Sequence, residues 1–148
     1  MSEEVQACRR TEVVPPRAPR PRVGVEAMAG RWLKTSDGPQ WIESLDVAVH
    51  GDALRVRVHG GTTAPSPDDW GLAESEFVYA SSLATGDARG GGFVTRYELG
   101  DMSVELQANL NLGLLVVATF ISFRTPGPFA DRFTREFFRR DDGAEVHA

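Results

Sequence analysis

The stretch VELQANLNLGLLVVATFISF, residues 104–123, is the most apolar part of the chain, and it decides between a membrane helix and a folded strand pair. Its densest part, residues 110–123, is shorter than the roughly 20 apolar residues that a spanning helix needs. Residues 102–110 alternate between apolar and polar side chains, which is the period of a half-buried strand. Asn111 to Gly113 supply turn chemistry, and residues 114–123 are rich in β-branched and aromatic residues. The stretch therefore predicts a β-hairpin.

The rest of the chain repeats this pattern of short alternating segments separated by turn residues. Residues 41–50 and 53–59 alternate clearly and are joined at His50, Gly51 and Asp52, which predicts a second hairpin. Four further strands are predicted at 28–34, 72–80, 93–99 and 132–140, with loops at 60–71, 85–92 and 125–128. The fold class is therefore all-β, with about eight strands at the spacing of a meander. An antiparallel up-and-down barrel closes the edges of such a sheet, and a sandwich of two sheets is the alternative.

Composition limits the classes of partner and compartment. The chain has 148 residues, enough for one domain, and a formal net charge of -5, which argues against a nucleic-acid partner. Cys8 is the single cysteine, so an internal disulfide is impossible. The first ten residues do not resemble a secretory signal, so a cytoplasmic location is expected. The cations are 15 Arg and one Lys, which is typical of a GC-rich bacterial genome.

Three segments divide the chain. Residues 1–26 are predicted to be a disordered arm, because residues 9–22 (RRTEVVPPRAPRPR) combine arginine with proline. The alternative for this arm is a basic segment that binds an acidic partner. Residues 27–140 are predicted to form the barrel domain, and residues 141–148 a frayed tail.

The first and last predicted strands carry a motif. Gly30-Arg31-Trp32 on the first strand and Arg135, or a neighbouring arginine, on the last strand resemble the calycin superfamily. This superfamily includes lipocalins, fatty-acid-binding proteins and small stand-alone bacterial lipocalin-like proteins. The resemblance implies that Gly30 and Trp32 close one end of the barrel and that the late arginine covers the tryptophan. The heme-binding branch uses a late-strand histidine, which is missing between His59 and His147, so no cofactor is expected.

The candidate ligand-binding residues lie on three predicted strands. They are Tyr97, Glu105, Gln107, Asn109, Arg135 and Phe137, and they would line a pocket if the polar strand faces pointed into the barrel. Fatty-acid-binding relatives hold a carboxylate with a last-strand arginine two residues before a tyrosine, and Arg135 keeps this spacing to Phe137. A guanidinium presents a fork of donors that fits a carboxylate. The other interpretations are that Arg135 pairs with Glu98 or Glu105, or that it is solvated.

Two further patterns bear on partners. Residues 114–121 are apolar on both strand faces, which predicts that the barrel interior covers one face. A loop, the arm or a second copy of the chain would cover the other face, so a homodimer is one expectation. His50 and His59 flank a hairpin turn near Asp46 and Asp52, but zinc needs three or four convergent ligands. No metal site is predicted.

Three functions remain open at this point. The first is a barrel that binds a hydrophobic small molecule in its interior. The second is a cyclase or isomerase of bacterial secondary metabolism that uses the same cavity without a recognisable catalytic motif. The third is a solid barrel that works as a protein-interaction module. The fold alone does not choose between them, and whether the protein is an enzyme stays open.

Overall fold

The computed structural model describes residues 23–80 and 88–143, and this part of the chain is all-β. Its only helix is the 3-10 turn Glu26–Met28. The strands are β1 (Val23–Gly24), β2 (Gly30–Lys34), β3 (Ile42–His50), β4 (Ala53–Gly60), β5 (Asp69–Glu74), β6 (Phe77–Ala80), β7 (Ala88–Leu99), β8 (Met102–Asn111), β9 (Leu114–Phe123) and β10 (Arg132–Arg140). The predicted all-β class is confirmed.

The strands form one antiparallel sheet that curls on itself. Its order is β7-β8-β9-β10-β2-β3-β4-β5, with the short β1 added in parallel to β7 and β6 pairing with β7. The pair between β10 and β2 joins distant parts of the chain, with Arg140 opposite Trp32. The sheet is therefore barrel-like, with an inner and an outer face.

The apolar stretch that opened the sequence analysis is the hairpin of β8 and β9. The two strands pair from Met102 opposite Phe123 to Asn111 opposite Leu114. Leu112 and Gly113 form the turn with φ angles of 50° and 81°, as a tight hairpin turn of this kind requires. The predicted hairpin is confirmed. In the described part of the chain, no helix has the length and apolar character needed to cross a membrane.

The segment predicted as one strand at 72–80 is two strands with a break between them. β5 starts at Asp69, inside the predicted loop, and pairs with β4, whereas β6 pairs with β7. At the break, Ser75 N donates to Leu54 O of β4, and Glu76 N donates to Val94 O of β7. The segment therefore pairs with β4 before the break and with β7 after it.

The strand β7 begins five residues earlier than its prediction, inside a glycine-rich segment. A Cβ on Gly92 would lie 2.4 Å from the hydroxyl oxygen of Tyr79. This hydroxyl donates to Ala108 O at 3.1 Å. Gly92 therefore allows the Tyr79 side chain to pack closely against the strand. Composition alone cannot distinguish a glycine of this kind from a glycine in a loop. Residues 81–87 of the predicted loop lie outside the described residues.

Residues 23–26 fall within the predicted arm, yet they belong to the folded part. β1 pairs with β7, and Val25 is buried. Disorder of residues 1–22 and of the tail from residue 144 stays a prediction, because both lie outside the described residues.

Large apolar side chains fill the inside of the curled sheet. The apolar faces of β4 and β8 point inward, as shown by strict alternation of buried and half-buried positions. The largest fully buried side chains include Trp32, Phe93, Phe138, Met28, Ile42, Leu45, Leu54, Leu106 and Leu115. The polar faces of these strands therefore lie outside, which answers the question of orientation that the sequence left open.

Candidate functional site

One end of the curled sheet is closed by a tryptophan and an arginine. The guanidinium carbon of Arg140 lies 4.6 Å from the centre of the buried Trp32 ring, and the guanidinium donates to Ala27 O and Ala29 O. Trp32 Nε1 donates to Met28 O at 3.0 Å, which ties the 3-10 turn to the same end. A Cβ on Gly30 would meet Arg140 Nη1 at 3.0 Å, so glycine leaves room for the guanidinium.

The arginine over Trp32 is the neighbour Arg140 and not Arg135. Arg140 is the register partner of Trp32, whereas Arg135 lies opposite Ala118 of β9 on the outer face. The sequence named Arg135 or a neighbouring arginine for this position, and it could not choose among the arginines of β10. That choice depends on the register between two strands far apart in the chain.

The opposite end of the curled sheet holds a row of aromatic rings. The ring centres of Trp41 and Trp70 are 6.5 Å apart, and those of Trp70 and Tyr97 are 5.5 Å apart, both edge to face. Arg132 and Glu136 of β10 lie beside Trp41. We call Trp41, Trp70, Tyr97, Arg132 and Glu136 the end cluster.

Hydrogen bonds from the loop at residues 61–68 hold the tryptophans in place. Trp41 O accepts bonds from Gly61 N at 2.9 Å and from Ser66 Oγ at 2.8 Å. Trp70 Nε1 donates to Ser66 Oγ at 3.2 Å. The phenol of Tyr97 donates to Val56 O at 2.6 Å. Burial, helped by the charge of Asp69, raises the pKa of Tyr97, so its hydroxyl remains a neutral donor at physiological pH.

Glu136 is a buried carboxyl group inside the curled sheet. Its Oε2 accepts hydrogen bonds from Trp41 N at 3.0 Å and Ile42 N at 3.3 Å, and the residue is 8% exposed. Burial raises the pKa of Glu136, although the two backbone donors act in the opposite direction. The group therefore holds a proton to a higher pH than an ordinary glutamate.

Polar atoms without partners are concentrated around this carboxyl group. Among the described residues, five buried side-chain atoms lack a close hydrogen-bond partner: Gln40 Oε1, Trp41 Nε1, Thr119 Oγ1, Thr134 Oγ1 and Glu136 Oε1. Thr119 and Glu136 lie on the inner faces of the neighbouring strands β9 and β10. Each unpaired buried polar group costs about 1–3 kcal/mol, and a native protein normally avoids this cost. Their clustering makes this part of the interior more polar than the rest of the core.

Arg132 stands at the rim of the end cluster. Its guanidinium carbon is 5.8 Å from the ring centres of both Trp41 and Phe129. Within the described ranges no carboxylate lies within ion-pair distance of this arginine. Its donors remain available for an anionic or carbonyl group at the mouth of the site.

The structure separates the sequence-predicted ligand residues into two places. Tyr97 lies in the end cluster. The other five lie together on the outer face of β8 and β10, because the apolar positions of these strands face inward: Glu105, Gln107, Asn109, Arg135 and Phe137. The interior pocket that these five were predicted to line is therefore not formed by them. Glu105 pairs with Arg96 at 3.1 Å, and the Arg135 guanidinium lies 5.6 Å from the Phe137 ring.

Four residues of the end cluster were not among the predicted ligand residues: Trp41, Trp70, Arg132 and Glu136. In residues 132–140, charged and aromatic side chains occur on both strand faces, so alternation could not identify the inner one. The signal for Trp41 and Trp70 was their position beside predicted loops. Such a position indicates that the tryptophan lies at the end of a strand, but it does not indicate what the side chain binds.

A second buried carboxylate lies on the outside of β3. Asp46 is 2% exposed; its Oδ1 accepts from Arg31 Nε at 2.7 Å, and its Oδ2 lies 3.1 Å from His59 Nε2. Asp46 therefore forms an ion pair with Arg31 and also contacts His59. The described residues contain no group of three or more histidine, cysteine or acidic side chains placed to hold a metal ion.

Replacing Glu136 with glutamine is expected to raise the melting temperature by a few degrees at neutral pH. The reason is that glutamine keeps an acceptor for Trp41 N and Ile42 N without a buried charge. Because the folded pKa of Glu136 is raised, its contribution to stability is fully present below the ordinary value of 4.5 and is lost as the pH rises through the folded pKa. The two proteins should therefore melt together below pH 4.5 and diverge above it. Equal melting temperatures at every pH would show that folding does not change the pKa of Glu136.

Similarity to other proteins assigns no family to this chain. It matches no protein-family model, no curated protein and no solved structure.

Proposed function

We propose that the protein is a calycin-type barrel that binds a small hydrophobic molecule, with the end cluster as the ligand site. The observation that carries this proposal is the set of unpaired buried atoms at Trp41, Thr119 and Glu136 beside three aromatic rings. Aromatic walls with a few polar groups are typical of small-molecule sites. The ligand would place an apolar body against the rings and a polar group toward Trp41 Nε1 and Glu136 Oε1.

Two features support the finer fold assignment within this proposal. If β5 and β6 count as one kinked strand, the bonds of Ser75 to Leu54 and of Glu76 to Val94 support closure into an up-and-down barrel of about eight strands. The Trp32 and Arg140 pair is the arrangement that the calycin resemblance implies for the closed end. The end cluster lies at the opposite end, where a ligand would enter.

Entry of a ligand requires a side chain to move, because the rings now fill this end. Trp41 is the suitable one. Its backbone is fixed by bonds to Glu136, Gly61 and Ser66, whereas its ring nitrogen has no partner in the described part of the protein. Rotation of the Trp41 ring therefore breaks no hydrogen bond, and it exposes Thr119 and Glu136 to the ligand.

The second candidate function is a cyclase or isomerase that uses the same site. The observation that favours it is Glu136, a buried carboxyl group whose pKa is raised by burial, so that it can give or take a proton at a higher pH than an ordinary glutamate. The two candidates differ in their response to Glu136→Gln. A binding protein loses affinity through the lost acceptor, whereas an enzyme keeps its affinity and loses turnover.

Binding is tested with the apolar fluorescent sulfonate 8-anilinonaphthalene-1-sulfonate. We expect saturable binding at one site, and Arg132→Ala should weaken it by roughly 10- to 100-fold, the range for one charged hydrogen bond. Arg135→Ala is the matched control: it removes an arginine of the same strand from the outer face and should leave the affinity unchanged.

Two results would contradict the proposal. The absence of saturable binding would leave no support for a ligand site at this end of the barrel. A loss of affinity in Phe120→Ser as large as that in Arg132→Ala would place the probe in the outer groove, which Arg132 also lines.

A further inference from the structure

The outer surface of β8, β9 and β10 is apolar in the middle and differs in charge at its two sides. The outward residues of β9 are uncharged: Leu114, Val116, Ala118, Phe120 and Ser122. On one side, β8 presents an acid and two amides: Glu105, Gln107 and Asn109. On the other side, β10 presents two phenylalanines and two arginines: Phe133, Arg135, Phe137 and Arg139. We call these outward residues the outer aromatic face.

The phenylalanines of this face are unusually exposed. Phe120, Phe133 and Phe137 are 46%, 56% and 40% exposed, and the ring centres of Phe120 and Phe133 are 5.0 Å apart. The two rings line a groove of about 590 Å³ that also contacts Arg96 and Glu105. A contiguous apolar patch of this kind marks a surface that another molecule covers.

The outer surface of β3 and β4 is different and serves as an internal comparison. Two arginines of this surface are paired, Arg31 with Asp46 at 2.7 Å and Arg57 with Asp69 at 2.9 Å, whereas Arg55 of β4 has no ion pair among the described residues. On the outer aromatic face, Arg135 is without an ion pair in the described part of the chain. Arg135 is thus a charge that an incoming surface could satisfy.

The arrangement of charges about β9 is self-complementary. A two-fold axis that runs along β9 in the plane of contact exchanges β8 with β10 between two copies. In the register of the sheet, Ala118 lies between Gln107 and Arg135, and Phe120 lies between Glu105 and Phe133. This axis therefore brings Arg135 of one copy to Gln107 and the adjacent Glu105 of the other. It also brings the two Phe120 rings together.

We propose that a second copy of this chain covers the outer aromatic face, with the two sheets packed face to face about this axis. Aligned packing of two sheets is a common arrangement, and a two-fold interface uses the same surface patch on both subunits. The apolar centre then becomes buried, and Arg135 of each copy meets Gln107 of the other, next to Glu105, which also pairs with Arg96 of its own copy. The groove on the outer aromatic face and the end cluster share one residue, Arg132, at the edge of the groove, but the proposed dimer contact uses none of the aromatic rings of the end cluster.

The test is the mass of the full chain in solution by sedimentation velocity over a range of concentrations. We expect a species of twice 16.2 kDa that dissociates on dilution. Phe120→Ser should shift the equilibrium to the monomer by at least tenfold. Leu72→Ser is the matched control, because Leu72 of β5 is 50% exposed but lies outside this face, and it should have no effect.

A charge exchange identifies the contact itself. Arg135→Glu and Glu105→Arg should each favour the monomer, because each places like charges opposite one another, and the double variant should restore the dimer. Circular dichroism of each variant confirms that the β fold is kept.

Three results would overturn the proposal. The first is a mass of 16.2 kDa at every concentration. The second is a dimer that neither Phe120→Ser nor Arg135→Glu weakens. The third is a monomeric full chain that dimerises only after deletion of residues 1–22, which would assign the outer aromatic face to the arm.

Discussion

Replacing Trp32 with alanine is expected to lower the free energy of unfolding by about 3–5 kcal/mol, the range for removing a large aromatic side chain from a core. Trp32 is 1% exposed and lies under the Arg140 guanidinium. Its loss would leave a cavity at the closed end and an arginine without its aromatic surface. Trp32 Nε1 also fixes the 3-10 turn through Met28 O, so the turn would lose its connection to the barrel.

Urea unfolding followed by far-UV circular dichroism measures this loss. Trp32→Phe is the matched control, because it keeps most of the ring and its contact with Arg140 and should cost clearly less. A loss below about 1 kcal/mol in Trp32→Ala would show that this end of the barrel is not a packed core.

Replacing Asp46 with alanine is expected to cost about 1–3 kcal/mol, because it removes a buried acceptor and leaves its donors unpaired. The carboxylate is 2% exposed and bonds to Arg31 and His59. Asp69→Ala is the matched control on the same outer surface. Its carboxylate is half exposed and pairs with Arg57, so its loss should have little effect.

The stability of Asp46→Ala should depend on pH in the opposite way to that of Glu136→Gln. Burial acts to raise the pKa of Asp46, but the hydrogen bonds and charges of Arg31 and His59 outweigh it, so the pKa is lowered from 3.8. A lowered folded pKa contributes stability that is present above the ordinary value and is lost as the pH falls through the folded pKa. The stability gap to the unsubstituted protein should therefore hold from neutral pH to about pH 4 and shrink below it. A gap that is unchanged in acid would show that Asp46 contributes only through packing.

Local pattern predicted most of the strands, because alternation reports directly on which side of a strand is buried. The hairpins at 42–60 and 102–123 agree with their predicted ranges within one or two residues. The errors occur where tertiary contacts override local signals. Glycine-rich residues 88–92 form a strand because Tyr79 packs on Gly92. The break after β5 exists because Ser75 N bonds to Leu54 O of β4, whereas Glu76 N bonds to Val94 O of β7.

The candidate site was predicted less well than the fold, for a physical reason. A site in a barrel is assembled from inner-facing residues of several strands, so it depends on orientation and register. Tyr97, one of the predicted ligand residues, lies on a strand with clear alternation, and it is buried inside the curled sheet. Arg135 and Glu136 are neighbours on a strand with phenylalanine on both faces. Because neighbouring side chains point to opposite faces, assigning the wrong face to this strand exchanges its inner and outer residues. The calycin resemblance favoured Arg135, whereas the structure places Glu136 and Arg132 beside the aromatic rings.

The pairing of β10 with β2 has a consequence for synthesis on the ribosome. Thr35, next to β2, bonds to Phe137 of β10, a residue 102 positions later. At a synthesis rate of about 5–20 residues per second, β2 is therefore without its partner strand β10 for roughly 5–20 seconds. During that time β2 is an open edge that could pair with another nascent chain. The strand is only five residues long and carries Arg31 and Lys34. Short length and positive charge are the features that discourage such pairing, so the sequence of β2 protects the unfinished barrel until its last strand emerges.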